Sequence, residues 1–177
     1  LKKKKKFSQT KFIITGDHGC ELYDNILRGN IEEFGFRNHL EHINVPLIYF
    51  NADKKIKNVG LHDSMSIAAS ILDDLNIKKH NSFKGRSVFK NGKKEIITEN
   101  ADRGNCDIEN KNLFFSVTCE SYKAMFCLKK DKLFVERFYD LKADKNEINN
   151  LVFKEQYRRI IKKKVKYLFK ERSKIMK

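Results

Sequence analysis

Gly16-Asp17-His18-Gly19 sets two metal-type ligands side by side, directly after the apolar run Phe12-Ile13-Ile14-Thr15. Aspartate supplies a hard oxygen and histidine a borderline nitrogen, a mixed pair suited to divalent cations such as Zn²⁺, Mn²⁺ or Mg²⁺. The two flanking glycines are expected to let the backbone turn sharply and to leave room for a ligand. Ligands of open α/β sheets bind beyond the carboxyl ends of the strands, which is where this pair would sit. The competing reading is a polar loop after a buried strand, and the tetrapeptide alone does not exclude it.

Two kinds of element must position these residues. Lys11–Thr15 and Val45–Phe50 read as strands. A helix is expected from Ser64 to Leu75, with Ile67, Ile71 and Leu75 as its apolar stripe, Ala68 and Leu72 widening it, and Asp63 or Ser64 as its cap. Strand and helix in alternation predict an α/β fold, a parallel sheet with helices on its faces. From Lys93 the pattern changes to short strands at Glu95–Thr98, Leu113–Val117, Tyr122–Leu128 and Leu133–Phe138. Gly92, Asn110–Asn112 and Lys129–Lys132 mark the turns, so this part reads as a small antiparallel sheet. Ile160, Ile161, Val165, Leu168 and Phe169 recur at helical spacing among basic residues, which predicts an amphipathic C-terminal helix. The chain thus divides into a basic loop or truncated start (1–10), an α/β part (11–90), and the small sheet with its terminal helix (91–177).

Composition narrows the function less. A chain of 177 residues is long enough for one domain with a real core and a small appendage. Its net charge of +15 would ordinarily suggest nucleic acid. Here lysine is mixed throughout with asparagine and isoleucine, as in a coding bias, and no nucleic-acid partner is expected. The Lys2–Lys6 run reads as a solvated loop or chain end. The terminal helix is expected to dock its apolar face, with contact to acidic lipid or nucleic acid as a secondary reading. No stretch is apolar for long enough to cross a bilayer, and no secretory signal opens the chain. Leu1 stands where an initiator methionine would, and the chain reads as beginning mid-fold. Membrane association and compartment stay open, with a lean toward the cytoplasm. Cys20, Cys106, Cys119 and Cys127 form no CxxC pair, so reduced thiols are expected; Cys119 and Cys127, on adjacent strands, are the pair that would bridge.

Four blocks taken together are specific. Phe12-Ile13-Ile14-Thr15-Gly16-Asp17-His18-Gly19 with Glu21 comes first, then Glu41-His42-Ile43-Asn44-Val45-Pro46-Leu47-Ile48. Val59-Gly60-Leu61-His62-Asp63 follows, leading to Asp74-Leu75-Asn76-Ile77. The last is Phe138-Tyr139-Asp140-Leu141-Lys142-Ala143-Asp144-Lys145-Asn146-Glu147, with Asn149-Asn150-Leu151. In this order they resemble the C-terminal part of sulfatases of the alkaline phosphatase superfamily, a pattern shared by phosphoethanolamine and phosphoglycerol transferases. The last block is similar to the sulfatase ending LYDLxxDPxExxNL.

That resemblance implies part of an alkaline-phosphatase-like sheet flanked by helices, followed by a small antiparallel sheet and a terminal helix. It implies a divalent-metal-dependent hydrolase of sulfuric esters, with Asp17 and His18 as metal ligands. The metal is Ca²⁺, Mg²⁺, Mn²⁺ or Zn²⁺, the histidine tilting the choice toward Zn²⁺ or Mn²⁺. The family often carries another histidine before the VPLI strand; Phe34 stands at that spacing here, and His39 and His42 are the nearest substitutes as catalytic candidates. His62 aligns with a position that does not ligate, and His80 has no evident role. Cys20 is not expected to be the nucleophile, because this neighbourhood coordinates metal in the family. Lys54, Lys55 or Arg37 would suit a sulfate or phosphate. No segment matches the family's nucleophile motifs, so the chain is expected to be inactive alone and to need the missing N-terminal half of the catalytic domain. The implied substrate is a sulfated or phosphorylated small molecule or glycan. The alternatives are a phosphoethanolamine or phosphoglycerol transferase acting on a cell-surface glycan or lipid, and a non-catalytic basic module binding polyanions.

Overall fold

Branched and aromatic residues build the first two strands, β1 (Phe12–Thr15) and β2 (Leu47–Phe50), as such side chains suit a pleated surface. The computed structural model describes residues 6–20, 38–57, 59–101 and 113–175; Glu21, Phe34, Arg37, Cys106 and the Asn110–Asn112 turn lie outside the described residues. The fold is α/β, with a two-stranded and a four-stranded sheet, both antiparallel, and a C-terminal helix. Two compact units form, one from Leu1–His18 with Val45–Lys94, the other from Gly19–Asn44 with Glu95–Lys177.

In the first unit the anticipated parallel pairing does not form. β1 and β2 run antiparallel, Phe12 opposite Phe50 and Thr15 opposite Leu47. A parallel pair needs its crossover between the two strands. The helix that suggested one, α2 (Ser66–Asp74), comes after β2. Along β2 the inward positions are Leu47 and Tyr49, and Tyr49 packs edge-on against Phe89.

The face that α2 buries is also not the apolar stripe. Ser66, Ala69, Ser70 and Asp74 are buried, whereas Ile71 and Leu75 stay exposed. The cause is hydrogen bonding. Ser70 Oγ donates to the Ser66 carbonyl (2.6 Å) and accepts the Val88 N–H (3.0 Å), so the small polar side chains hold the 87–89 segment against the helix. Met65 occupies the N-cap without a side-chain bond, and Asp63 instead accepts the Ser66 hydroxyl and pairs with Lys93. At the other end, buried Asp74 accepts the Tyr49 hydroxyl (3.2 Å) and the Asp53 N–H (2.8 Å) and pairs with Lys11 (2.7 Å). Burial pushes the Asp74 carboxyl up, but these partners outweigh it and leave its pKa lowered.

The second unit is a meander, β3 (Glu95–Ala101), β4 (Leu113–Cys119), β5 (Tyr122–Lys129) and β6 (Lys132–Asp140) in spatial order. Lys130 and Asp131 both have positive φ (46° and 57°), the conformation a two-residue hairpin turn requires. On one face Phe115, Val117, Ala124, Phe126 and Phe138 pack against Ile161 and Leu168 of α3 (Arg158–Ile175). Strand alternation puts Cys119 on that face and Cys127 on the other, so the two cannot bridge; Cys20, Cys119 and Cys127 are in the thiol form.

After β6 the polar residues of the last block satisfy backbone groups. Asp140 accepts the Lys142 N–H, and Asp144 accepts those of Ile148 and Asn149. The register between β5 and β6 slips beside Met125, leaving Glu136 as the extra residue of a bulge. Asn150 repairs it: its amide donates to the Glu136 carbonyl (3.1 Å), and its Oδ1 accepts the N–H groups of Phe138 and Val152. Asn150→Ala is therefore expected to cost roughly 1–2 kcal/mol in urea denaturation, and a loss below about 0.5 kcal/mol would remove Asn150 from that role.

Candidate functional site

β1 delivers the chain to Gly16, and Asp17 and His18 follow in open solvent, with side chains 90% and 60% exposed. Asp17 Oδ1 accepts the His18 N–H (2.9 Å). That bond and the neighbouring imidazole hold the Asp17 carboxyl below its ordinary pKa, so it is a carboxylate at neutral pH. Asp17 Oδ2 lies 3.7 Å from His18 Nε2. One hard oxygen and one imidazole nitrogen at that separation fit two neighbouring positions of a divalent cation's ligand set. They do not close the set, which needs further donors.

The glycines serve a different purpose from the one their sequence suggests. Neither Gly16 nor Gly19 has positive φ. Gly19 instead lets the chain's own backbone approach: its N–H donates to the His42 carbonyl (2.7 Å), and a Cβ there would lie 1.7 Å from the Glu41 carbonyl oxygen.

His39 and His42 flank the one-turn helix α1 (Leu40–Ile43), His39 at its N-cap and His42 in its last turn. His39 is buried, and its Nδ1 lies 3.1 Å from Glu147 Oε2, which also accepts the Leu40 N–H (2.8 Å). Glu147 Oε1 pairs with the Lys123 ammonium at 2.7 Å, and neither of these two side chains is exposed to solvent. The His39 ring rests against Tyr139. Burial pushes the Glu147 carboxyl up, yet His39, Lys123 and the Leu40 N–H outweigh it and take its pKa down to about 2. His39, Glu41 and Glu147 bring ligand atoms within 4.8 Å of one another, close enough to hold a metal ion. The Lys123 ammonium already supplies the cation to Glu147, so the observed geometry is that of a buried ion cluster joining α1 to the sheet.

Elsewhere, His62 has no hydrogen-bond partner for either ring nitrogen among the described residues, and His80 bonds Ser82. Lys54 is tied to Asp73 (2.7 Å) and is not free for an anion. Sequence reasoning gave no role to Lys123 and met Glu147 only as part of the last block. The available signal was a lysine in the middle of the otherwise apolar Tyr122–Leu128 run.

No protein-family model matches the chain, and no curated protein does either. Solved structures do. A 2-O GAG sulfatase superposes with a TM-score of 0.69 at 19% identity over 94% of this chain and 37% of its own. A protein solved with its substrate D-glucosamine-2-N,6-O-disulfate gives 0.69 at 19% over 98% and 36%. The phosphonate monoester hydrolase of Agrobacterium radiobacter gives 0.71 at 16% over 98% and 37%. The chain spans little more than a third of the length of these structures. Its two antiparallel sheets and terminal helix have the fold of one segment of these sulfatase and phosphonate hydrolase structures.

Proposed function

We propose that this chain is part of a divalent-metal-dependent hydrolase of sulfuric esters, contributing Asp17 and His18 as metal ligands while another segment supplies the nucleophile. The observation that carries the reading is the exposed carboxylate–imidazole pair just beyond β1 in a chain of sulfatase fold. A bound divalent cation supplies charge that offsets what develops on the sulfuryl oxygens. Asp17, ionised at neutral pH, offers its oxygen without first losing a proton, and His18 offers a nitrogen. His42 remains a candidate for substrate contact, whereas the burial of His39 against Glu147 suits it to holding α1 in place. The sulfated sugar bound by one neighbour supports a sulfated small molecule or glycan as substrate. The phosphonate hydrolase among the neighbours keeps phosphoryl transfer as the second reading.

Titration with Mn²⁺, read from the EPR signal of the free ion, tests the ligand pair. Asp17→Ala and His18→Ala are each expected to weaken binding at least about tenfold. Unchanged affinity in both would overturn the assignment. In the complete enzyme the same substitutions should abolish hydrolysis of 4-nitrophenyl sulfate.

A further inference from the structure

The cations of α3 whose side chains are described fall into two groups with different surroundings. Two turn inward: the Lys164 ammonium pairs with Glu95, and the Arg172 guanidinium lies 4.4 Å over the Phe115 ring. Six others, Arg158, Arg159, Lys162, Lys163, Lys166 and Lys170, are exposed. At 100° per residue these six fall within one arc of about 140° that contains no acidic residue. Arg158 is held by Glu155 of the preceding turn (3.2 Å). Among the described residues no acidic group pairs with the other five.

Within the same arc, between the rows of Arg158 and Lys162, stands Phe169, 57% exposed although the helix has an apolar face in the core. An aromatic ring held in water among cations gains nothing from the fold. An anionic bilayer accommodates both groups: headgroups meet the ammonium and guanidinium groups, and the ring enters the boundary with the acyl chains. Duplex nucleic acid would satisfy the charges, but its outward phosphates give the ring no partner. A single strand offers the ring a base to stack on, but a lone ring at the edge of a cationic arc has no second aromatic to continue the stack. No helix among the described residues is long and apolar enough to cross a membrane, so the contact is one in which the helix lies on the surface.

We propose that the outer face of α3 is a docking surface for membranes rich in anionic phospholipid. Co-sedimentation of the full chain with vesicles tests this. Binding is expected to phosphatidylcholine vesicles containing one-third phosphatidylserine and not to phosphatidylcholine alone, to weaken as salt rises, and to persist in EDTA. Phe169→Ser is expected to lower the bound fraction about fivefold, and the double substitution Lys162→Glu, Lys166→Glu to abolish binding. Both sites are exposed, so thermal unfolding should not move. Binding that Phe169→Ser leaves unchanged overturns the proposal, and so does absence of binding to the anionic vesicles. Retention on single-stranded RNA without vesicle binding overturns it in favour of nucleic acid. Persistence in EDTA separates this result from failure or success of the proposed metal site.

Discussion

Glu147→Gln is expected to lower the folding free energy by about 3–5 kcal/mol, because it takes the Glu147 carboxylate away from the buried Lys123 ammonium 2.7 Å from it. The amide keeps the shape of the side chain, so little of the loss comes from packing. Among the described residues, Lys123 leans on one oxygen of the carboxylate, and His39 and the Leu40 N–H on the other. Adding Lys123→Met should recover more than half of the loss, since an apolar side chain of similar length suits a buried site better than an ammonium that has lost the Glu147 carboxylate. A cost of under about 1 kcal/mol for Glu147→Gln in urea denaturation would mean that the cluster is not what holds α1 to the sheet.

The same carboxylate gives stability a pH dependence of known sign. Its pKa is about 2 in the folded chain against an ordinary 4.5, so the unfolded chain binds the proton more readily. The contribution, on the order of 3 kcal/mol, is complete above pH 4.5 and is lost as pH falls toward 2. Midpoints of unfolding measured down this range should fall in the native chain. In Glu147→Gln that part of the slope should disappear.

How much of this was legible in the sequence differs by level. The six strands and the terminal helix among the described residues follow from the local pattern of apolar and polar residues. The direction of the β1–β2 pair does not, since pairing is decided by where the chain goes between strands and not by the strands themselves. The buried face of α2 was hidden for a related reason. Ser70 and Asp74 look like solvent-facing residues until the N–H groups of Val88 and of Asp53 and Lys54 arrive to bond them. The Asp17–His18 pair was visible because it is local. The ion cluster was not, because His39 and Glu147 are 108 residues apart.

Gly19→Ala is the second substitution expected to have a large effect, and Gly16→Ala is its control. Sequence treats the two glycines of Gly16-Asp17-His18-Gly19 alike; their surroundings do not. A Cβ on Gly16 would lie 3.3 Å from Val45 Cγ1, a side-chain contact that a small shift relieves. A Cβ on Gly19 would lie 1.7 Å from the Glu41 carbonyl oxygen and 2.8 Å from its carbon, and backbone cannot rotate aside as a side chain can. Gly19 must then withdraw, breaking the 2.7 Å bond from its N–H to the His42 carbonyl. Overpacking of this kind costs about 1–3 kcal/mol, whereas Gly16→Ala should change stability by less than about 1 kcal/mol. His18 is bonded directly to Gly19, so the displacement is transmitted to the proposed ligand pair. Mn²⁺ affinity should accordingly fall in Gly19→Ala and hold in Gly16→Ala. Equal stability of the two variants would show that the close approach of Gly19 to Glu41 is not what anchors the loop.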